Sequence, residues 1–427
     1  METMEKQTRK TLLHGWHLAR GAHMAVFGGY EMPLWYPSGV KSEHLAVLTR
    51  AGVFDTSHMA VVMVSGKDGF DLLQHCFTRD LRACVGKGRT PLIPSRCIYG
   101  AFLNHRGEVI DDAIVCELDQ ESYMIAVNAG MGGVIANHLR DHRAKREVDI
   151  EDLSDRLGKM DIQGPLSARI LGKVLAEPEK TFERLSYFSF KGHFDAASPL
   201  ADAVRLSDGT PILLSRSGYT GEFGFEIFVA PEHFVQVWET ILEAGGNMGM
   251  IPCGLGARDS LRAGAMLPLS HQDIGQWPFI NHPWPFALPF NDDGSAFTKE
   301  FIGSESLLHV NNPEFTYAFV GDDLRKVSTE DPAIVLDSEG KEIGSVLTCV
   351  TDMGIGRHEG RIYSIASPDK PENFDPRGLS CGFIKVRERR VAGDRVELKD
   401  RRRKLKATIV NDIRPDRTAN RSIREMI

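Results

Sequence analysis

Two adjacent carboxylates, Asp111 and Asp112, open the second arm of a hairpin signal, Asn104-His-Arg-Gly-Glu-Val-Ile-Asp-Asp112. Successive side chains on a strand point to opposite faces, so these two acids serve different surroundings. Asp112 shares its face with Ile110 and Ile114, which marks that face as interior. A carboxylate there is costly unless it is paired or serves a ligand. Asp111 is read more plainly, as a carboxylate that satisfies the turn backbone. A third acid, Glu226, lies in a run whose alternation sets Gly224 and Glu226 on one face and Phe225 and Ile227 on the other. Taken alone, it reads as the salt-bridge partner of Arg258, near the start of an apparent helix in Ala257-Arg-Asp-Ser-Leu261. Tyr99 and Tyr219 each offer a flat apolar surface with a polar tip, as a conjugated ring ligand requires.

Motifs for other chemistries are missing. Gly254-Leu-Gly256 lacks the third glycine of a dinucleotide fingerprint, and there is no phosphate loop, no HExxH and no nucleophile elbow. His138 and His142 stand four apart on a predicted helix and could share a metal. Their neighbours Arg140, Asp141 and Arg143 favour an exposed polar face instead. The seven cysteines have no CxxC spacing, which argues against a disulfide framework and against a thiolate metal site. The expectation is a reduced, cytoplasmic protein with no metal.

Positioning such residues takes a multidomain scaffold. The chain has 427 residues, 42% hydrophobic and 26% charged, enough for several cores without staples. The charged Met1–Lys10 stretch lacks a signal-peptide core, and no run approaches the roughly 18 apolar residues of a membrane helix. A net charge of −7 gives no reason to expect nucleic acid. From Lys385 onward 15 basic residues face 7 acidic ones, a net +8 against −15 for the rest. That end reads either as a dock for an acidic partner or as a solvated strand-rich domain. Strands are predicted at 59–64, 97–104, 108–118, 123–128, 157–163, 211–215 and 224–229. Helices are predicted at 42–51, 67–80, 134–142, 166–175 and 233–244. Hairpins mixed with helices mean α+β, not a doubly wound parallel fold. After Pro313 short strands recur and suggest a separate β-barrel or sandwich.

Seven segments then combine. Met24-Ala-Val-Phe-Gly-Gly-Tyr-Glu-Met-Pro33 leads through Glu43-His44 to Ala51-Gly-Val-Phe-Asp-Thr-Ser-His-Met59 and the Asn104–Asp112 hairpin. Gln163-Gly-Pro165, Ser217-Gly-Tyr-Thr-Gly-Glu-Phe-Gly-Phe-Glu226 and Cys253-Gly-Leu-Gly-Ala-Arg-Asp-Ser-Leu261 follow. In this order the set resembles the aminomethyltransferase (T-protein) family of the glycine cleavage system, over roughly residues 12–275. The resemblance implies two α+β units, roughly 1–150 and 151–310, enclosing a central folate channel, and a C-terminal β-barrel over 311–427. It implies tetrahydrofolate as one-carbon acceptor, an aminomethylated lipoyl H-protein as donor, and release of ammonia. Asp112 takes the catalytic role against the folate nitrogens. The family glutamate matching Glu226 holds the pterin N–H edge, which suits a carboxylate accepting two parallel hydrogen bonds. Arg258, Tyr219, Tyr99, Met59 and Asn128 match folate contacts.

The match breaks at Ala263-Gly-Ala-Met266, Leu267-Pro-Leu-Ser-His-Gln272 and Trp277–Phe286. In the family this segment lines the substrate side, so the folate half is retained and the donor half altered. A folate-dependent demethylase of a small N-, O- or S-methyl compound is therefore the nearest alternative. A non-catalytic folate-binding assembly factor is another class. That branch carries Lys-Gly-Cys-x-x-Gly-Gln, a context none of the seven cysteines has.

Overall fold

A computed structural model describes residues 8–86, 88–329 and 332–427, so most of the Met1–Lys10 segment lies outside them. Period-two apolar patterning builds a five-stranded antiparallel sheet in the order Arg96–Leu103, Val109–Asp119, Ser122–Val127, Ala60–Ser65, Asp149–Asp152. Leu72, Leu73 and Cys76 of helix Gly69–Cys76 and Ile135, Ala136 and Leu139 of helix Gly132–Asp141 recur at helical spacing. They pack on one face of that sheet against Val62, Val64, Val115 and Ile125.

A six-stranded sheet follows the same plan, in the order Phe190–Gly192, Leu213–Ser215, Gly224–Val229, Gly158–Gln163, Gly52–Asp55, Ile251–Pro252. Helices Ser167–Leu171 and Phe234–Gly246 cover one face, with Ile170, Trp238 and Ile241 in its core. The remaining faces of the two sheets meet. Val61, Cys97 and Met124 of the first share a cluster with Phe190, Leu213 and Phe228 of the second. Two α+β units thus enclose a shared interior. The division near residue 150 needs correction, because Gly52–Asp55 pairs with Gly158–Gln163 in the second sheet although it precedes the first. Four residues carry too little periodicity to be read as a strand.

The C-terminal unit is a closed six-strand barrel in the order Phe315–Gly321, Leu379–Val386, Glu342–Asp352, Ile334–Leu336, Arg395–Lys399, Lys404–Val410. Closure leaves no free edge. A bulge between Val346 and Thr348 lies opposite Ile384 and Phe383, next to Gly382, whose φ is +153°. A Cβ there would lie 2.0 Å from the Thr348 carbonyl oxygen, so only glycine fits.

The basic end is not a free tail. Beyond the barrel the chain returns to the second sheet, where Ile423 and Met426 join the core. Arg216 donates to the carbonyls of Ala419 at 2.7 Å and Arg421 at 2.9 Å. Arg414, 1% exposed, donates to Asp352 Oδ2 at 2.6 Å, and His44 Nε2 lies 2.9 Å from the other oxygen. Burial alone would raise the Asp352 pKa, but Arg414 and His44 outweigh it and hold the carboxyl well below the usual range. The stability this supplies is complete above the ordinary aspartate value of about 3.9 and is lost as pH falls toward the depressed value. The urea-unfolding midpoint should therefore drop between about pH 4 and about pH 2 more steeply in the wild type than in Asp352→Asn.

Candidate active site

Between the two inner sheet faces lies a cavity of about 480 Å³, within the range of roughly 300–1,000 Å³ usual for small-molecule sites. Met59, Tyr99, Asp112, Asn128, Tyr219, Glu226 and Arg258, the seven residues singled out in the sequence, all line it. Alternation explains the placement. Val115 points to the helix-covered side, whereas Asp112 and Ile114 face the cavity.

Asp112 is fixed by two donors. Tyr99 Oη donates to Oδ2 at 2.8 Å, and Asn128 Nδ2 donates to Oδ1 at 2.7 Å. The same Asn128 amide donates to Asp111 at 2.8 Å, and its backbone N–H reaches the other Asp111 oxygen at 2.9 Å. Ser270 Oγ donates to Asp111 at 2.8 Å, and His271 Nε2 stands 3.8 Å away. Asp111 is thus fully buried and tied to Asn128 and Ser270 rather than to its own turn, which corrects the sequence reading. Burial, followed by the neighbouring Asp112 charge, pushes its pKa up to about 7. Burial raises Asp112 as well, against the hydrogen bonds from Tyr99 and Asn128. The pair titrates as a unit.

A second group of charges surrounds Glu226. Glu226 stands opposite Asp161 in the strand register, a like-charge pair that is unstable without a cation. Lys159 supplies it, with Nζ 2.6 Å from Asp161 and 3.5 Å from Glu226. Arg258 pairs with Asp161 at 2.8 Å, not with Glu226 as the sequence suggested. Its guanidinium lies 4.8 Å from the centre of the Tyr219 ring, and Tyr219 Oη donates to the Pro268 carbonyl. Burial would raise Asp161, but Lys159 and Arg258 prevail and hold it low. In Glu226 burial prevails over Lys159, and the pKa is raised. Glu226 therefore keeps most of its acceptor capacity for the cavity. Sequence reasoning missed Lys159 and Asp161. Their signal was two charges alternating with Met160 and Ile162, both in the core.

Among the described residues, one His/Cys group with donors close enough to share a metal lies outside this cavity, formed by Cys76, His138 and His142.

Comparisons with known proteins agree with the sequence motifs. A family model described as the GCVT N-terminal domain matches residues 13–277. An aminomethyltransferase of Caldanaerobacter subterraneus subsp. tengcongensis is 31% identical over 407 residues, 94% of this chain and 95% of that protein. An aminomethyltransferase of Streptomyces coelicolor is 38% identical over 268 residues, 63% of this chain and 66% of that protein. Glycine cleavage system aminomethyltransferase T from Bartonella henselae superposes with a TM-score of 0.73 at 24% identity, covering 97% of this chain and 99% of that one, a likeness of fold.

The Lys159 environment makes a direct prediction. Lys159→Met leaves the buried Glu226 carboxylate without its cation and Asp161 with Arg258 alone, and should cost about 3–5 kcal/mol at neutral pH. Protonation relieves that loss, so the deficit measured by urea unfolding should shrink as pH is lowered toward about 5.

Proposed function

The chain belongs to the aminomethyltransferase family of the glycine cleavage system, and from that premise we propose that its cavity seats tetrahydrofolate as acceptor of a one-carbon unit. It is an enzyme of the transferase class. The observation that carries the reading is Asp112, a cavity-lining carboxylate held by Tyr99 and Asn128 with no cation paired to it among the described residues.

The residues present fit the ligand. Glu226 has the acceptor geometry for two adjacent N–H donors of a pterin edge. Tyr99, Tyr219 and Phe188 give the cavity aromatic walls against which a conjugated ring packs. Arg258, already anchored by Asp161, reaches the same space at little further ordering cost. When bound, tetrahydrofolate supplies the nitrogen nucleophiles that accept the carbon. Asp112 stabilises cationic character at the transferring carbon, and its two donors keep it in place without reorganisation. The Asp111–Asp112 pair stays short of full ionisation below about pH 7 and gains a second negative charge above it. No covalent enzyme intermediate is needed, which accords with the missing nucleophile motifs.

The donor proposed is the aminomethyl group carried on lipoyl H-protein, with ammonia released. One observation favours the second reading, a small methyl donor. The altered Trp277–Phe286 stretch contributes Phe286 to the cavity wall, its ring 6.0 Å from that of Tyr99. A reducing cytoplasmic setting suits the seven buried free thiols.

A donor screen with tetrahydrofolate, followed by folate absorbance and ammonia release, tests the proposal. Turnover with aminomethylated H-protein is expected, and turnover with free methyl donors alone would replace it by the second reading. Asp112→Asn should lower kcat by roughly 100-fold or more while tetrahydrofolate still binds. Wild-type turnover in that variant would remove Asp112 from the mechanism. Asp111→Asn should erase a step in the kcat/KM–pH profile near pH 7, where the Asp111–Asp112 pair loses its last proton.

A further inference from the structure

We propose that Cys76, His138 and His142 form a binding site for a single borderline-soft metal ion of the Zn²⁺ class, separate from the folate cavity. The three residues come from two helices on the same face of the first sheet. Cys76 closes helix Gly69–Cys76, while His138 and His142 lie one turn apart at the end of helix Gly132–Asp141. Sequence alone suggested an exposed polar face for the two histidines. Both are half-buried, and their rings lie 4.6 Å apart between centres.

Three observations point to a ligand. One donor atom from each residue falls within 4.8 Å of the other two. His138 Nε2 is buried without a hydrogen-bond partner, which is a cost unless something binds it. His142 Nδ1 lies 2.8 Å from the His138 carbonyl, so it carries the proton and donates. That arrangement leaves His142 Nε2 as a lone pair and is the usual outer support of a metal-bound imidazole.

The donor set selects the ion. A thiolate with two imidazoles suits zinc or a similarly soft metal and not Mg²⁺ or Ca²⁺, which require oxygen ligands. With bonds of about 2.0–2.3 Å, a tetrahedral zinc needs donors roughly 3.3–3.8 Å apart. Side-chain torsions of Cys76 and His138 can close the difference. His105 and His75, with rings 5.7 and 6.1 Å from that of His142, stand near enough to offer a fourth ligand, or water fills the position. The facing charges are Arg146 and Lys299 beside Cys76 and Asp141 beside His138. Burial pushes the Cys76 thiol up and outweighs Arg146 and Lys299, so the bound metal must itself displace the thiol proton. The Lys299 ammonium is held by the carbonyls of Gln74 at 2.6 Å and Phe77 at 2.5 Å. On binding, the S–H bond breaks, the S–metal bond forms and the proton leaves to solvent, with no change of oxidation state. The site pins one helix to the other and is structural, since none of its residues lines the cavity.

The full-length protein, stripped with chelator, is titrated with Zn²⁺ and separately with Co²⁺. One zinc should stay with each chain through desalting. Co²⁺ should give tetrahedral visible bands and a near-ultraviolet thiolate-to-cobalt band. Cys76→Ser should lose the near-ultraviolet band, and His142→Ala should weaken zinc binding by more than the ~10–100-fold seen for outer-support changes. Zinc should also raise the melting temperature of the wild type and not that of Cys76→Ser. Should His142→Ala fail to fold, the Cys76→Ser spectrum decides. Zinc lost from the wild type on desalting, or a charge-transfer band unchanged in Cys76→Ser, would overturn the proposal.

Discussion

Asp161 is a carboxylate removed from water, tolerable only because Lys159 and Arg258 approach it from two different elements. That requirement fixes the strand Gly158–Gln163 against the N-terminal half of helix Leu255–Gly264. It also determines what Glu226 can do. With Arg258 committed to Asp161 and Lys159 shared, Glu226 is left a carboxylate with spare acceptors on a cavity wall. A structural ion network thus leaves one member incompletely paired at the place where a ligand with adjacent N–H groups would bind.

The barrel governs the other side of the cavity. Arg262 donates to Asp273, and Thr348 of the barrel strand Glu342–Asp352 donates to Asp273 at 2.7 Å. Gln272 also reaches Thr348, at 2.8 Å. These bonds hold the loop that follows helix Leu255–Gly264. That loop carries Pro268, the acceptor of Tyr219, and Ser270, the donor to Asp111. The buried Asp352–Arg414–His44 cluster in turn fastens the barrel and the returning chain end to the body. The barrel therefore acts on the site through the loop, by setting where Tyr219 and Asp111 find their partners.

Much of this was legible in the sequence. Val109–Asp119 and Gly224–Val229 announced themselves by period-two apolar patterning, and the same alternation assigned Asp112 and Glu226 to one face each. What escaped depends on long-range partners. Asp111 looked like a turn residue because its donor Ser270 lies 159 positions away. The pairing of Arg258 was misassigned because Asp161 outcompetes Glu226 once the strands are in register. Gly52–Asp55 was too short to show a period, and its role appears only when Gly158–Gln163 pairs with it. His138 and His142 sit among charged neighbours along the chain, and only the packing of a second helix brings Cys76 to them.

The central claim is that Glu226 is kept incompletely paired in order to hold a pterin edge. Calorimetric titration of wild type and Glu226→Gln with tetrahydrofolate, without any donor, measures this directly. Replacing a charge-assisted pair of hydrogen bonds should raise Kd by roughly 10- to 100-fold with the melting temperature little changed. Equal affinity in the two proteins would contradict the account.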